Sequence, residues 1–327
     1  MNGRAVDLPE PLWAEAVGAI EGADEVALAC HLGPDGDALG SLLALALGLR
    51  ALGKRVVASW GSEPFRVPGQ YAFLPGLDLL SPPAEFPEAP ALLVTFDTGS
   101  VDRLGTLAGA VARAGCTIVV DHHASNTRYG TLNLVDEHAA ASVLLVEELL
   151  RRLGVPLSAD VAACVYTGLT TDTGSFKYQA TTPAVHEVAA RLLATGIDHA
   201  AIAREVWDTN RFGYVRLLGT LLTRAALEPG LVWTWSTQAD FAEHGVGMDE
   251  IEGAIDVLRT TVEADVAVIC KETPEGAYAV SMRSKGGADV GAVAVALGGG
   301  GHRYAAGFTS TADLGATIGA VRAALAR

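Results

Sequence analysis

Short apolar runs alternate with longer, largely apolar stretches along the first half of the chain. The short runs predict buried strands at residues 26–30, 54–60, 91–96 and 117–120. The longer stretches predict helices at residues 38–52, 101–114 and 139–153. Residues 61–90 are rich in proline and predict a surface excursion between two of these units. Because strands alternating with helices are typical of a parallel sheet, the pattern predicts an α/β domain.

The second half of the chain changes character twice. Residues 160–224 are mainly helical in pattern, and the part from 199 to 223 resembles a connector. Beyond it, strands are predicted at residues 231–236, 266–270 and 278–283, with helices near 249–260, 289–297 and 314–326. The pattern therefore predicts a first domain at 1–198, a helical connector at 199–223 and a smaller α/β domain at 224–327.

Composition and charge narrow the classes of function. Half of the 327 residues are hydrophobic, and the formal net charge is -15. This charge argues against binding long duplex nucleic acid, which needs many Lys and Arg contacts to phosphates, but it allows a small anionic ligand held by cations. The longest apolar stretch, residues 42–49, is too short to span a bilayer. The four cysteines form no CxxC pair, so we expect a reduced, cytoplasmic protein with no membrane partner.

Acidic and histidine residues follow three of the predicted strands, and a fourth acidic segment follows the helix that begins near residue 160. Because ligands of open parallel sheets bind beyond the carboxyl ends of the strands, we expect these segments to converge. Taken singly they have ordinary explanations, such as a turn after Pro34 or a helix cap. Together they favour one site, whose candidate residues are His31, Asp35, Asp37, Asp97, Asp121, His122, His123 and Asp172.

This set of side chains suits a pair of divalent cations. Two such ions need a carboxylate that bridges them and several hard oxygen and imidazole ligands. Mixed Asp and His ligation favours Mn²⁺ or a similar first-row ion over Zn²⁺ held by thiolates. Ions of this kind polarise phosphoryl oxygens, activate water and stabilise the leaving oxygen. The residues therefore predict a phosphoesterase.

These motifs resemble the four motifs of the DHH phosphoesterase family over nearly the whole chain. The segments 281–285 (Ser-Met-Arg-Ser-Lys) and 298–302 (Gly-Gly-Gly-Gly-His) resemble the DHH-associated C-terminal domain. Chain length, motif order and the Gly-Leu-Thr-Thr-Asp-Thr-Gly run at 168–174 resemble the NrnA-type sub-family. The resemblance implies a parallel-sheet DHH domain, a smaller α/β DHH-associated domain and an active site in the cleft between them.

The resemblance also implies which residues hold the metals. Two Mn²⁺ ions are expected per active site, with Mg²⁺ or Co²⁺ as substitutes. The ligands of one ion would be His31, Asp35 and Asp97. The ligands of the other would be Asp37, Asp97, His122 and Asp172, which makes Asp97 the bridge.

Three further residues are expected beside the metals. His123 would orient a ligand or the substrate, and Asp121 would support the histidines. Arg103 matches a family arginine near the cleft, although a solvated helix residue explains it equally well.

The resemblance places substrate binding in the second domain. The expected residues are Arg283, Ser284, Gly299, Gly300, Gly301 and His302. Glycines without Cβ atoms let backbone N–H groups approach a phosphate closely. Between residues 277 and 308 three basic side chains outnumber one acidic side chain, which is a local positive patch on an acidic protein.

The implied activity is metal-dependent hydrolysis of short oligoribonucleotides to mononucleotides and of 3'-phosphoadenosine 5'-phosphate (pAp) to AMP. The main alternative is a phosphodiesterase acting on cyclic di-AMP or linear di-adenylate, and a more distant one is an inorganic pyrophosphatase or polyphosphatase. A non-catalytic nucleotide sensor is disfavoured because every family ligand position is filled. A RecJ-like exonuclease on long strands is disfavoured by chain length and charge. The resemblance also implies a homodimer.

Overall fold

The computed structural model describes residues 5–251 and 253–326. The chain divides into two units, one ending at Thr209 and the other beginning at Asn210. Each unit has its own sheet and its own buried apolar core. Among the described residues, no helix is long and apolar enough to cross a membrane.

The first unit contains a parallel sheet, which within the described residues has five strands in the order β2-β1-β3-β4-β5. The strands are β1 (Glu25–Cys30), β2 (Arg55–Trp60), β3 (Leu92–Phe96), β4 (Cys116–Asp121) and β5 (Leu132–Val135). The chain runs outward from β1 to β2 on one side and to β3 on the other. The carboxyl ends of β1 and β3 therefore border the switch point where such sheets bind ligands.

Helices cover this sheet and bury most of its apolar residues. They are α1 (Glu10–Glu21), α2 (Gly36–Ala51), α3 (Ala108–Arg113), α4 (Ser142–Arg152), α5 (Ala159–Asp172), α6 (Pro183–Leu193) and α7 (His199–Trp207). Helix α2 is buried from Gly36 to Leu49, as expected for a helix that is apolar on all sides. The predicted parallel α/β architecture of the first half is confirmed.

Close approach of α2 to α5 depends on two glycines. A Cβ on Gly40 would lie 2.5 Å from the carbonyl oxygen of Cys164, and a Cβ on Gly168 would lie 3.0 Å from the Cα of Asp37. The first distance is shorter than real Cβ contacts and the second is tighter than nearly all of them, so this crossing favours glycine at both positions. The crossing brings the start of α2 beside the end of α5.

Two predictions for the first unit need correction, and two elements were missed. The helix predicted at 101–114 is a 3₁₀ segment, Val101–Leu107, followed by the short α3, because Gly105 has a φ of 57° that an α-helix cannot contain. The excursion at 61–90 is partly core, since Tyr71 is buried there. Strand β5 and helix α1 were not predicted.

The second unit contains a mixed sheet, which has six strands among its described residues, in the order β10-β11-β9-β8-β7-β6. Strands β7 and β8 are parallel, and the other neighbours are antiparallel. The strands are β6 (Ala226–Glu228), β7 (Gly230–Ser236), β8 (Ala264–Glu272), β9 (Tyr278–Ser284), β10 (Gly300–His302) and β11 (Ala305–Ser310). The helices are α8 (Phe212–Arg224), α9 (Gln238–His244), α10 (Ala254–Arg259), α11 (Val290–Ala296) and α12 (Leu314–Leu325).

Most predicted elements of the second half are present with small shifts at their ends. The helix predicted near 249–260 is instead a 3₁₀ segment, Met248–Ile251, and the short α10, with residue 252 outside the described part. The segment predicted as a connector at 199–223 is divided between the units. Helix α7 packs Ile202 into the first core, and α8 packs Leu217 into the second.

Candidate metal centre

The loop between β1 and α2 supplies the first three candidate residues. His31 follows β1 directly, and Asp35 caps α2 by accepting hydrogen bonds from the backbone N–H groups of Asp37 (3.1 Å) and Ala38 (3.0 Å). Asp37 lies in the first helical turn and is completely buried, whereas the Asp35 side chain is half exposed. The cap thus holds the carboxylates of Asp35 and Asp37 close together at the start of α2.

Asp97 lies at the centre of the cluster, directly after β3. Its Oδ2 is 3.4 Å from Nε2 of His31, and its Oδ1 is 3.5 Å from Nε2 of His122. Its backbone has a φ of 52°, in the left-handed region that aspartate tolerates better than most residues. Strained backbone of this kind is typical of functional sites. The two oxygens of Asp97 therefore face two different sets of residues.

These sets form two trios of potential metal ligands. Within each trio, one ligand atom per residue lies within 4.8 Å of the others. The first trio is His31, Asp35 and Asp97, and the second is Asp37, His122 and Asp172. In the second trio, Nε2 of His122 lies 3.0 Å from Oδ2 of Asp172 and 3.8 Å from Oδ2 of Asp37. Oxygen and imidazole donors on two adjoining trios fit a pair of Mn²⁺ or Mg²⁺ ions.

Backbone carbonyls orient two of the histidines. Nδ1 of His31 donates to the carbonyl of Leu32 (2.8 Å), and Nδ1 of His122 donates to that of Ala139 (3.2 Å). A neutral ring held in this way presents the lone pair of Nε2, which suits a metal ligand. Both Nε2 atoms face carboxylates of the cluster.

Burial and neighbouring charges shift the pKa values of the carboxylates, upward for Asp37 and Asp172 and downward for Asp97. Burial, together with the charges of Asp172 and Asp97, raises the pKa of Asp37 well above its usual value. Burial raises the pKa of Asp172 to about 6, although the hydrogen bond with His122 opposes it. Burial would raise the pKa of Asp97 as well, but the neighbouring histidines hold it well below its usual range. A crowded set of acids of this kind is stabilised when cations bind.

His123 is held differently from His122. Its Nδ1 donates to Oδ1 of Asp121 at 2.7 Å, and Oδ2 of Asp121 accepts from the side-chain amide of Asn126 at 2.5 Å. Asp121 therefore supports His123, whereas Ala139 supports His122.

Arg103 lies in the 3₁₀ segment after β3. The residue is exposed, but one guanidinium nitrogen is 3.4 Å from Nδ1 of His31, and its carbonyl accepts from the N–H of Leu32. Arg103 thus borders the first trio.

The sequence analysis missed Asn126 and Ser142, which donate hydrogen bonds to carboxylates of this centre. A loop Asn and a Ser at a helix start are ordinary capping residues, so neither is conspicuous in the sequence.

In the second unit, the pairing of the strands places two of the expected substrate-binding residues on the same face of the sheet. His302 on β10 pairs with Ala305 on β11, which pairs with Arg283 on β9. Directly paired residues share a face of a sheet, so Arg283 and His302 lie on one face, two strands apart. Ser284 is buried, and its hydroxyl donates to Asp265 and accepts from the N–H of Gly286. Its side chain therefore stabilises the loop after β9.

Packing explains most of the glycine run. A Cβ on Gly299 would lie 2.1 Å from the carbonyl of Gly307, and a Cβ on Gly301 would lie 2.6 Å from that of Ala305. Gly298 has a φ of 85°. A Cβ on Gly300 would meet nothing within 4 Å, so crowding inside the protein does not account for that glycine.

Comparison with known proteins identifies the family. The model of the DHH family N-terminal domain matches residues 25–169, and that of the DHHA1 domain matches residues 234–326. Together with the relatives below, these matches establish that the chain belongs to the DHH family of phosphoesterases.

Two relatives indicate to which type of DHH phosphoesterase the chain belongs. The chain is 37% identical over 320 residues to the bifunctional oligoribonuclease and PAP phosphatase NrnA of Thermus thermophilus, covering 94% of this chain and 92% of that protein. It is 26% identical over 290 residues to NrnA of Bacillus subtilis, covering 87% and 88%. The protein is an NrnA-type DHH phosphoesterase, and hence a hydrolase.

Solved structures share the fold. An exopolyphosphatase-related protein from Bacteroides fragilis superimposes with a TM-score of 0.86 at 23% identity, covering 97% of this chain and 96% of that chain. RecJ from Thermus thermophilus in complex with Mn²⁺ superimposes with a TM-score of 0.57 at 16% identity, covering 97% and 54%. At these identities the likeness concerns the fold alone.

Proposed function

We propose that this phosphoesterase hydrolyses short oligoribonucleotides to mononucleotides and pAp to AMP, using two Mn²⁺ ions. The observation that carries the proposal is the position of Asp97, whose two carboxylate oxygens face two separate ligand trios. The activities after which the NrnA relatives from Thermus thermophilus and Bacillus subtilis are named support the substrates. The complexes of Thermus RecJ with Mn²⁺ and with Mg²⁺ support a divalent ion of this type.

The ligands follow the two trios. His31, Asp35 and Asp97 would hold one ion, and Asp37, Asp97, His122 and Asp172 the other. When bound, the two ions polarise the phosphoryl oxygens, activate a water and stabilise the leaving oxygen. Such a pair of cations would relieve the burial and the repulsion among carboxylates that raise the pKa values of Asp37 and Asp172.

Other residues would orient the substrate. The hydrogen bond to Asp121 occupies Nδ1 of His123, so this histidine would contact substrate through Nε2. Arg103 would place a positive charge beside the first trio.

We also propose that the second unit contributes contacts to the nucleotide. Arg283 and His302 share a face of the sheet there, and the main chain of Gly299–Gly301 would supply N–H donors. For Ser284 the contribution would come from its main chain, because its hydroxyl bonds Asp265. We expect a cytoplasmic homodimer, as the cysteine pattern and the family resemblance imply. We expect no binding of long duplexes, since the net charge is -15.

A substrate panel with Mn²⁺ tests the proposal. It contains RNAs of two to five nucleotides, pAp, cyclic di-AMP, linear di-adenylate and pyrophosphate. The expected result is the highest kcat/KM on dinucleotides and pAp. A preference for cyclic di-AMP would replace the proposed substrate, and a preference for pyrophosphate would contradict nucleotide specificity altogether.

A further inference from the structure

Helix α4 begins without a cap of its own. The residue before it, Ala141, offers no side-chain acceptor to the first N–H groups of the helix. Instead, the N–H of Ser142 donates to Oδ2 of Asp37 at 2.6 Å, and the N–H of Val143 donates to Oδ1 of Asp37 at 2.9 Å. The first N–H groups of a helix need external acceptors and favour a negative charge. Asp37, 105 residues away along the chain, fills that role for α4.

The side chain of Ser142 contacts a second carboxylate of the centre. Its hydroxyl donates to Oδ1 of Asp97 at 3.1 Å, and the residue is completely buried. The same Oδ1 faces His122, whereas Oδ2 of Asp97 faces His31. Ser142 therefore donates hydrogen bonds both to Asp37 and to Oδ1 of Asp97, the oxygen that faces the second trio.

We propose that Ser142 is a positioning residue for the second metal site, which Asp37, His122 and Asp172 form with Oδ1 of Asp97. Two hydrogen bonds from one buried residue hold the carboxylates of Asp37 and Asp97 in place, and these are two of the groups that would bind the second ion. Groups that orient metal ligands in this way typically change metal affinity or activity by 10- to 100-fold when removed. The inference rests on the proposed two-metal function.

The contacts also predict that the effect is selective. Ser142 bonds Oδ1 of Asp97, while the first trio uses Oδ2 together with His31 and Asp35. Loss of the Ser142 hydroxyl should therefore weaken the second site and spare the first. The substitution Ser142→Ala isolates this effect because alanine keeps the backbone N–H that bonds Asp37.

Ser59→Ala is the matched control. Ser59 is also completely buried in the first unit, and its hydroxyl donates to the carbonyl of Ser81 at 2.7 Å, with the carbonyl of Trp60 at 3.5 Å. Both substitutions remove one buried hydroxyl, so they should lower the melting temperature of the metal-free protein to a similar degree. Ser59 lies outside the ligand trios.

The test is titration of the full-length protein with Mn²⁺, with free Mn²⁺ measured by electron paramagnetic resonance. We expect two sites in the wild-type and Ser59→Ala proteins, and a 10- to 100-fold weaker second site in Ser142→Ala with the first changed by less than about twofold. Equal affinities in all three proteins, or equal weakening of both sites in Ser142→Ala, would overturn the inference while leaving the two-metal proposal standing. A wild-type protein that binds fewer than two ions would overturn both.

Discussion

Replacing Asp97 by Asn removes the shared charge from the centre with little change of shape. Asparagine tolerates the φ of 52° at this position, whereas alanine in the left-handed region costs about 1–2 kcal/mol. Asp97→Asn is therefore a cleaner test than Asp97→Ala. Each proposed metal site loses the charge of a shared ligand, since Oδ2 of Asp97 faces His31 and Oδ1 faces His122.

The expected loss of Mn²⁺ affinity follows from removing one charged carboxylate oxygen from each metal site. If each oxygen is worth about 1.5–3 kcal/mol, as for hydrogen bonds to charged groups, each Mn²⁺ site weakens roughly 10- to 150-fold. Both together amount to about 3–6 kcal/mol, which predicts a fall in activity of roughly 10²- to 10⁴-fold at limiting Mn²⁺. Calorimetric Mn²⁺ titration and hydrolysis of a dinucleotide measure the two effects.

A buried carboxylate outside the trios provides the control. Asp136 is 6% exposed and accepts hydrogen bonds from the backbone N–H groups of Asp7 (2.8 Å) and His138 (3.0 Å). Asp136→Asn should reduce stability without changing Mn²⁺ affinity. If Asp97→Asn binds two ions with normal affinity and retains near-normal kcat, Asp97 is not the bridge and the reasoning is refuted.

Three further predictions concern the substrate. The value of kcat/KM for RNA should fall from two to about ten nucleotides, because a net charge of -15 leaves no long basic track; a rise with length would contradict this. His302→Ala and Arg283→Ala should reduce dinucleotide hydrolysis roughly 10- to 1000-fold but affect bis-p-nitrophenyl phosphate much less, and equal losses on both substrates would argue against nucleotide binding there. Gly300→Ala should leave the melting temperature unchanged or raise it, since its Cβ meets nothing within 4 Å, yet it should raise KM if the nucleotide approaches this backbone. Gly301→Ala should instead destabilise the fold, and a Gly300→Ala protein with normal KM would remove Gly300 from the substrate site.

The sequence predicted the strands that carry the site because each is a mainly apolar run that leads into an acid or a histidine. Strands β1, β3 and β4 lie where the pattern predicts them, followed by His31, Asp97 and the pair His122 and His123. A buried parallel strand needs apolar residues on both faces, which makes such runs conspicuous. Strand β5 has four residues, one of them Asn133, and gives no comparable signal.

Contacts between distant segments could not be predicted in the same way. The sequence shows Ser142 as an ordinary residue at a helix start, and nothing local indicates that the N-terminus of α4 meets Asp37. The break at Gly105 depends on a left-handed φ, whereas the local pattern favours a continuous helix. In both cases tertiary packing determines a feature that local pattern leaves open.

The central claim is that two metal ions share Asp97. The most direct measurement is an anomalous difference map from crystals of the wild-type enzyme grown with Mn²⁺. We expect two peaks roughly 3.5–4 Å apart, one against His31 and Asp35 and one against Asp37, His122 and Asp172, with Asp97 bound to both. A single peak, or two peaks that do not share Asp97, would contradict it.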